Sequence, residues 1–474
     1  MPEASDPEFT REAGSSADSA PLSVLPLRTL SGVVPRLGVV LAAGRSERLR
    51  AVTGGGSKAL VQLGGLKLVE RAIWMLMNAG VEHVLVVVGY NAGPVGAVVS
   101  RLGRGRVHAV LAEEWQLGNG SSLAAAEDSV VGQDLFALIT ADHLFGEGAI
   151  ERIIRAGEPA VLVDPHPSTE AWAEGCRVRI RGGMAVAFGK QIDEPPIDCG
   201  VFLLSPQVFE AQREAAAEGD HTLAGAVSRL AAHGGLRPVP IEGRTWWQDI
   251  DTPGELRAAR ARLRRSLARD ADGPVSRYLN RPVSTRLSMA LAPVRISPDL
   301  VSVVSVALAL VGAWLLATGR GILGGIMIQG ASVLDGVDGE TARLLMRAGP
   351  RGAMLDGVLD RLGDAAVMGG LGVWALRGGS GITDGVVVWL TVAATAGSLM
   401  SMASKDRVAA LGLPPAPERL LGYLLGGRDG RLLLVAVGSI LGRPAAALIA
   451  VTVTSALSLA FRLLLTRRSV SPTR

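Results

Sequence analysis

The 474-residue chain contains two cysteines, Cys176 and Cys199. Their separation is not a metal-ligand spacing, and no disulfide framework is indicated, so a reducing, cytoplasmic location fits. Excess charge is also lacking. The formal net charge of +4 excludes a broad electrostatic surface for nucleic acid. Lysine is nearly missing: Lys58, Lys67, Lys190 and Lys405 stand among 48 basic residues. In so arginine-rich a chain, a lysine marks a position suited to a compact ammonium rather than a planar fork. Residues 1–36 hold no apolar run of signal-peptide length, and no internal repeat is evident.

What is present divides the chain. A hydrophobic fraction of 48% is ordinary, but a mean hydropathy of +0.33 points to a membrane portion. Residues 1–36, rich in Ser, Pro, Ala and acids, read as a disordered tail. From residue 37 to about 262 short apolar strands alternate with glycine loops and helical stretches: LGVVLAAG, LVERAIWMLMNAG, VEHVLVVVGY, DLFALITAD. The alternation predicts an α/β domain with a Rossmann-like mixed, mostly parallel sheet covered on both faces. Residues 263–292 are arginine-rich and amphipathic, as expected of a linker and a helix lying on a membrane surface. Residues 293–468 read as an all-α domain with spans near 297–318, 321–346, 353–376, 384–404, 430–441 and 443–466, followed by a tail, 469–474. Arginines before the first span, at 343–351, at 405–431 and in the tail place both ends, and the soluble domain, in the cytoplasm.

Within the apolar half, residues 335–360 carry Asp335, Asp338, Asp356 and Asp360. Read as helix, Asp335, Asp338 and Ala342 share one face, and Asp356 and Asp360 lie a turn apart on a second helix. Gly349, Pro350 and Gly352 suit the turn between them. Folded back, the hairpin gathers four carboxylates in a low dielectric, where they need a counter-charge. A hard divalent cation, Mg²⁺ or Mn²⁺, is the simplest one.

In the soluble half, LAAGRSERLR ends a strand in a glycine loop, which offers backbone N–H groups to phosphates. Arg48 and, in SKAL, Lys58 can neutralise a triphosphate. Gly118, Asn119, Gly120 and Ser121 form a small-residue loop before a helix; a plain N-cap by Ser121 or Ser122 is the alternative. Asp142 closes an apolar strand, where open α/β sheets bind ligands. Asp249 and Asp251 lie in WWQDIDTPGEL, where Asp251 also reads as a helix N-cap. In the C-terminal half Lys405, Arg407, Arg419, Arg428 and Arg431 could clamp an acceptor phosphate or simply reflect topology.

The order D-x-x-D-G-x-x-A-R-x8-G-x3-D-x3-D is met at Asp335, Asp338, Gly339, Ala342, Arg343, Gly352, Asp356 and Asp360, and it resembles the signature of the CDP-alcohol phosphotransferases. That resemblance implies metal ligation by Asp335, Asp338, Asp356 and Asp360, with Asp360 as general base. Gly339, Ala342, Arg343 and Gly352 would lie beside the nucleotide. From the basic cluster itself, Lys405, Arg419 and Arg431 are expected to face the acceptor. SPDLVS departs from the family's P-N-x-x-T at Asp299 and Ser302.

The soluble motifs resemble the sugar-phosphate nucleotidyltransferases, with Ser46 in place of a glycine and Ser57 in place of a proline. This resemblance implies nucleotide contacts from Leu41, Ala42, Gly44, Lys58, Gly118, Asn119 and Ser121, and catalysis by Lys58 and Arg48. It also implies metal ligation by Asp142 and Asp251, with Asp249 as the alternative, and polyol phosphate binding by Lys190 and Asp198. The whole architecture resembles the bifunctional inositol-1-phosphate cytidylyltransferase/di-myo-inositol-phosphate-phosphate synthases. That family implies CTP, inositol 1-phosphate and CDP-inositol as substrates, Mg²⁺ or Mn²⁺, a bilayer, and a homodimer through the membrane domain. Another polyol phosphate, a phospholipid head-group synthase, and a non-catalytic transporter or scaffold remain the alternatives.

Overall fold

The computed structural model describes residues 34–469, except 46, 104, 244, 379–380 and 414–417. The expected N-terminal tail, up to residue 33, and the last five residues lie outside the described part.

The strand Leu37–Ala42 is buried along its whole length. Val39 and Leu41 enter one hydrophobic core, while Val40 and Ala42 enter another on the opposite face. That two-sided burial is why the strand reads as a continuous apolar run rather than an alternating one. It pairs in parallel with His83–Val88 and with Phe136–Thr140, and His83–Val88 pairs in parallel with Val107–Leu111. Beyond Phe136–Thr140 the sheet turns antiparallel, through Ile197–Leu204 and its partner Ala160–Asp164. The sheet is therefore mixed. A separate antiparallel ribbon joins His143–Phe145 to Trp247–Asp249 and sets His143 opposite Asp249. This ribbon draws together two acidic segments about a hundred residues apart in the chain.

The chain leaves the α/β half through the helix Pro253–Ser266. Thr252, not Asp251, is its N-cap: Thr252 accepts from Glu255 N while Glu255 reaches back to the N-cap backbone. Asp251 is thereby free to point elsewhere. Leu256, Ala259 and Leu263 on this helix bury against Leu49, Leu63, Leu144, Ala292 and Leu344, which ties both halves into one cluster. The following helix, Arg281–Leu291, was expected to lie on a membrane surface. One face of it holds to the helix Gly321–Leu344 through buried Ser284 and Ser288, and Val283 on it is exposed.

The C-terminal half is helical. Its long helices are Pro298–Ala317, Gly321–Leu344, Pro350–Arg377, Asp384–Ala410, Arg428–Ile440 and Pro444–Ser469. Among the described residues, three helices are long and apolar enough to cross a membrane: Pro298–Ala317, Asp384–Ala410 and Pro444–Leu465. Six spans were expected from the hydropathy pattern. Gly321–Leu344 and Pro350–Arg377 fall short because they carry the charged motif. The 13 residues of Arg428–Ile440 rise only about 20 Å, against a hydrocarbon core of about 30 Å. Leu316, Ile328, Met368, Leu371, Val435 and Val451 make the interior, while Trp314, Val388 and Trp389 face outward. So apolar an outer surface is suited to lipid.

A two-residue Gly64–Gly65 turn joins the short strands Gln62–Leu63 and Leu66–Lys67, with φ of +58° and +84°. Both glycines adopt the left-handed conformation that a tight hairpin of this twist requires. A side chain on Gly65 would run into the Ala292 carbonyl, so the hairpin tip packs directly on the start of the helical half. Arg295 secures it, donating to Gly65 O at 3.0 Å and to Glu70 Oε2 at 2.5 Å.

Candidate active sites

The first site forms around Lys58. Ser57 caps the short turn that presents it, accepting from Ala59 N, so the residue standing in place of a proline has a defined local role. Lys58 is 3% exposed. Its Nζ lies 3.3 Å from Asp142 Oδ2 and 3.5 Å from Asp249 Oδ1, and it is paired directly with Asp251. Burial opposes its charge, but the three carboxylates outweigh burial and raise its pKa above the usual lysine value. Arg48 bridges Asp251 and Glu174. Asp142, Asp249 and Asp251 place one oxygen each within 4.8 Å of one another.

His143, next to Asp142, was not singled out from the sequence. Its ring lies 3.0 Å from Asp142 Oδ1 and bonds to Thr140 Oγ1. Burial would keep it neutral, but Asp142 and Asp249 push it up to about 9. A side chain on Gly200 (φ +72°) would strike this ring. Asp198 accepts from Gly200 N at 2.9 Å. Burial raises the Asp198 carboxyl, against bonds from Cys176 and Gly200. Asp198 thus belongs to the neighbourhood of Asp142 and His143, while Lys190 is exposed.

The small-residue loop has a packing reason of its own. Gly118 and Gly120 lie against the backbone of His221 and Thr222, where a side chain would clash. Asn119 Oδ1 accepts from Leu223 N at 2.7 Å, and Ser121 bonds to His221. Leu41 and Ala42 are buried at the end of the central strand. Gly44 is open, with nothing within 4 Å of where a side chain would start.

The second site forms between Gly321–Leu344 and Pro350–Arg377. Asp335, Asp338 and Asp356 bring oxygens within 4.8 Å of one another. Asp338 is held by Ser302 Oγ at 2.5 Å and by the backbone N–H of Gly339. Ser302, a departure from the familiar motif, therefore orients one of the three acids. Asp360 is next to Asp335 of that triad and faces Arg428. That single guanidinium joins Asp335 Oδ2 at 2.6 Å, Asp360 Oδ1 at 2.9 Å and Asp364 Oδ1 at 3.1 Å. The sequence reading placed Arg428 only in a general arginine cluster; its role as counter-ion needed the fold. Asp364 also accepts from Ser398 at 2.8 Å.

Glu340, inside the motif, is fully buried and wholly engaged. It accepts from Ser284 at 2.7 Å, Ser288 at 2.6 Å and Arg281 at 2.5 Å. Arg343 donates to Leu267 O at 3.0 Å, away from the acids and toward the connector. Ala342 is half-buried, and a side chain on Gly339 or Gly352 would come up against Arg343 or Asp299, respectively. Of the expected acceptor clamp, Arg431 is 1% exposed and donates to Gly426 O at 2.6 Å, Lys405 is exposed, and the Arg419 side chain lies outside the described part.

Both triads are all-carboxylate donor sets, the chemistry that hard divalent cations prefer. In each, a fixed cation now sits against the acids: Lys58 at the first, Arg428 at the second. The residues therefore fit a divalent metal at two separate centres.

Residues 38–269 match the MobA-like NTP transferase domain family, and residues 295–460 match the CDP-alcohol phosphatidyltransferase family. The chain is 37% identical over 417 residues to the bifunctional IPC transferase and DIPP synthase of Rubrobacter xylanophilus, covering 87% of this chain and 92% of that one. It is 31% identical over 441 residues to the protein of the same name from Thermococcus kodakarensis, covering 92% and 97%. A solved inositol-1-phosphate CTP transferase from T. maritima is 25% identical, covering 47% of this chain and 92% of that one, with a TM-score of 0.42.

Proposed function

Because the chain belongs to the family of bifunctional IPC transferases and DIPP synthases, we propose that it carries out two successive transfers with one nucleotide-activated polyol. The observation that carries this reading is the presence of two separate carboxylate triads, Asp142/Asp249/Asp251 and Asp335/Asp338/Asp356, one on each half of a single chain. In the first step, the phosphate oxygen of inositol 1-phosphate attacks the α-phosphorus of CTP. Pyrophosphate leaves and CDP-inositol forms. In the second, a hydroxyl of another inositol 1-phosphate attacks the β-phosphorus of CDP-inositol. CMP leaves, and a phosphorylated di-inositol phosphodiester remains.

Little acid–base chemistry is needed in the first step. Lys58 and Arg48 supply positive charge to the triphosphate, Gly44 leaves room for it, and Asp198 with Lys190 orients the polyol phosphate. In the second, Asp360 takes the proton of the attacking hydroxyl, and Arg428 holds that carboxylate in place. A divalent cation, Mg²⁺ or Mn²⁺, bound by Asp142 with Asp251 or Asp249, and another bound by Asp335, Asp338 and Asp356, would neutralise charge on the transferring phosphoryl groups. We place the catalytic halves at 37–262 and 293–468, joined by 263–292. The helical half is multi-pass, paired as a homodimer in the inner membrane, with both centres facing the cytoplasm. The arginine-laden loops support that orientation.

The test is mass analysis of products from purified protein given CTP and inositol 1-phosphate without lipid. A water-soluble phosphodiester with CMP and pyrophosphate is expected. A strict requirement for CDP-diacylglycerol would favour head-group synthesis instead, and a product only from another polyol phosphate would reassign the substrate. Asp360→Asn should let CDP-inositol accumulate, whereas Asp142→Ala should abolish its formation but still consume it when added.

A further inference from the structure

A cavity of about 410 Å³ lies where the two halves meet. One wall comes from the ribbon of the first site: Phe145, three residues beyond Asp142, and Trp246, three before Asp249. The other comes from the end of the helix that carries Asp335 and Asp338: Arg343 and Met346. Neither catalytic half could form this space alone.

Its charges are arranged unusually. Arg71 lines the cavity and is 3% exposed. Among the described residues, its hydrogen bonds go to backbone carbonyls, Leu63 O at 2.9 Å and Leu344 O at 3.1 Å. Arg343 likewise donates to Leu267 O. The Nε of each arginine is buried and finds no hydrogen-bond partner among the described residues. Glu70, beside Arg71, is already bonded to Arg295 and Lys67 N. Burial lowers Arg71 to about 10, so it is still a cation near neutral pH. Glu70 acts on Arg71, and Glu340 and Glu147 act on Arg343, only across space and not through a hydrogen bond; two guanidinium groups without a direct carboxylate bond around one space define a site for anionic oxygens. Glu147, Glu151 and, with a partner of its own, Asp270 line the same cavity. Carboxylates there would repel a bare phosphate but can accept hydrogen bonds from hydroxyl groups. Trp246 and Met346 add apolar surface for a ring.

We infer that this cavity binds a phosphorylated polyhydroxy compound, its phosphates on Arg71 and Arg343 and its hydroxyls toward Glu147 and Glu151. Resting on the function proposed above, that compound is the CDP-polyol made at the first centre, kept between the halves until the second centre uses it. The two phosphates of a CDP-ester match two guanidinium groups, and the walls come from both catalytic halves.

The full-length protein in detergent decides this by isotope dilution. Cytosine-labelled CTP and inositol 1-phosphate are supplied with unlabelled CDP-inositol in roughly tenfold excess over the labelled intermediate, and labelled CMP is followed from the earliest times. A retained intermediate escapes dilution, so labelled CMP should appear without lag and about tenfold above the free-mixing value. Ala268→Phe, which fills the cavity, and Arg71→Gln, which removes one charge but keeps a donor, should both drop labelled CMP to that value. Each half-reaction, measured separately, should persist in both variants. If Ala268→Phe loses the half-reactions, Arg71→Gln decides. Wild-type protein at the free-mixing value from the start, or wild-type retention in the variants, overturns the inference. If no labelled CDP-inositol forms at all, the functional reading itself fails, and the inference falls with it.

Discussion

Replacing Arg428 with methionine is the sharpest test of how the membrane-half centre is balanced. The guanidinium joins Asp335, Asp360 and Asp364, and its side chain is 14% exposed. Methionine fills much of the same volume but leaves three acids facing one another. Asp364 keeps Ser398 and, at 3.5 Å, Arg431, so the uncompensated charge falls mainly on Asp335 and Asp360. Removing one partner of a buried pair costs about 3–5 kcal/mol. For a domain of about 150–250 residues, each kcal/mol moves the midpoint by roughly 2–4 °C, so Arg428→Met should unfold about 6–20 °C lower. The assay is thermal unfolding in detergent, followed by circular dichroism, first with a chelator and then with Mg²⁺ or Mn²⁺. Asp335 belongs both to the triad and to the Arg428 pair. A divalent cation on the triad should therefore replace part of the missing charge and narrow the gap. A shift under about 2 °C with chelator, on the same conversion, or a gap indifferent to the cation, would refute the reasoning.

Glu340→Ala strands Ser284 and Ser288 and removes one partner of Arg281, so it should cost about 3–5 kcal/mol in thermal unfolding while the first step keeps its rate. Glu340→Gln, which retains one acceptor oxygen, should cost less. Ser57→Ala loses the cap on the turn that presents Lys58. It should cost about 1 kcal/mol and slow pyrophosphate release by up to about tenfold, with added CDP-inositol consumed at the wild-type rate. Asp272 offers a pH test. Burial opposes its charge, but bonds from Arg281 at 2.8 and 3.0 Å outweigh burial and lower its pKa. The pair's contribution is thus complete above the ordinary carboxylate value, near pH 4, and lost as pH falls through the lowered one. The difference in midpoint between wild type and Asp272→Asn should be flat above about pH 4 and shrink below it.

Much of this molecule follows from local sequence. Continuous apolar runs such as LGVVLA require a strand buried on both faces, and the 335–360 spacing puts Asp335 and Asp338 on one helical face opposite Asp356 on the next. Those are consequences of backbone periodicity, which neighbouring residues alone impose. What required the folded chain was the pairing of charges. Asp251 was freed for Lys58 only because Thr252 capped the next helix. Arg428 was one arginine among several until packing set it against three acids, and Arg343 turned to the connector rather than to its own motif. Periodicity tells which face a side chain takes. Its partner is chosen by segments distant in sequence, through distances of a few ångströms that only tertiary packing sets, and in a low dielectric those distances decide which charges can exist.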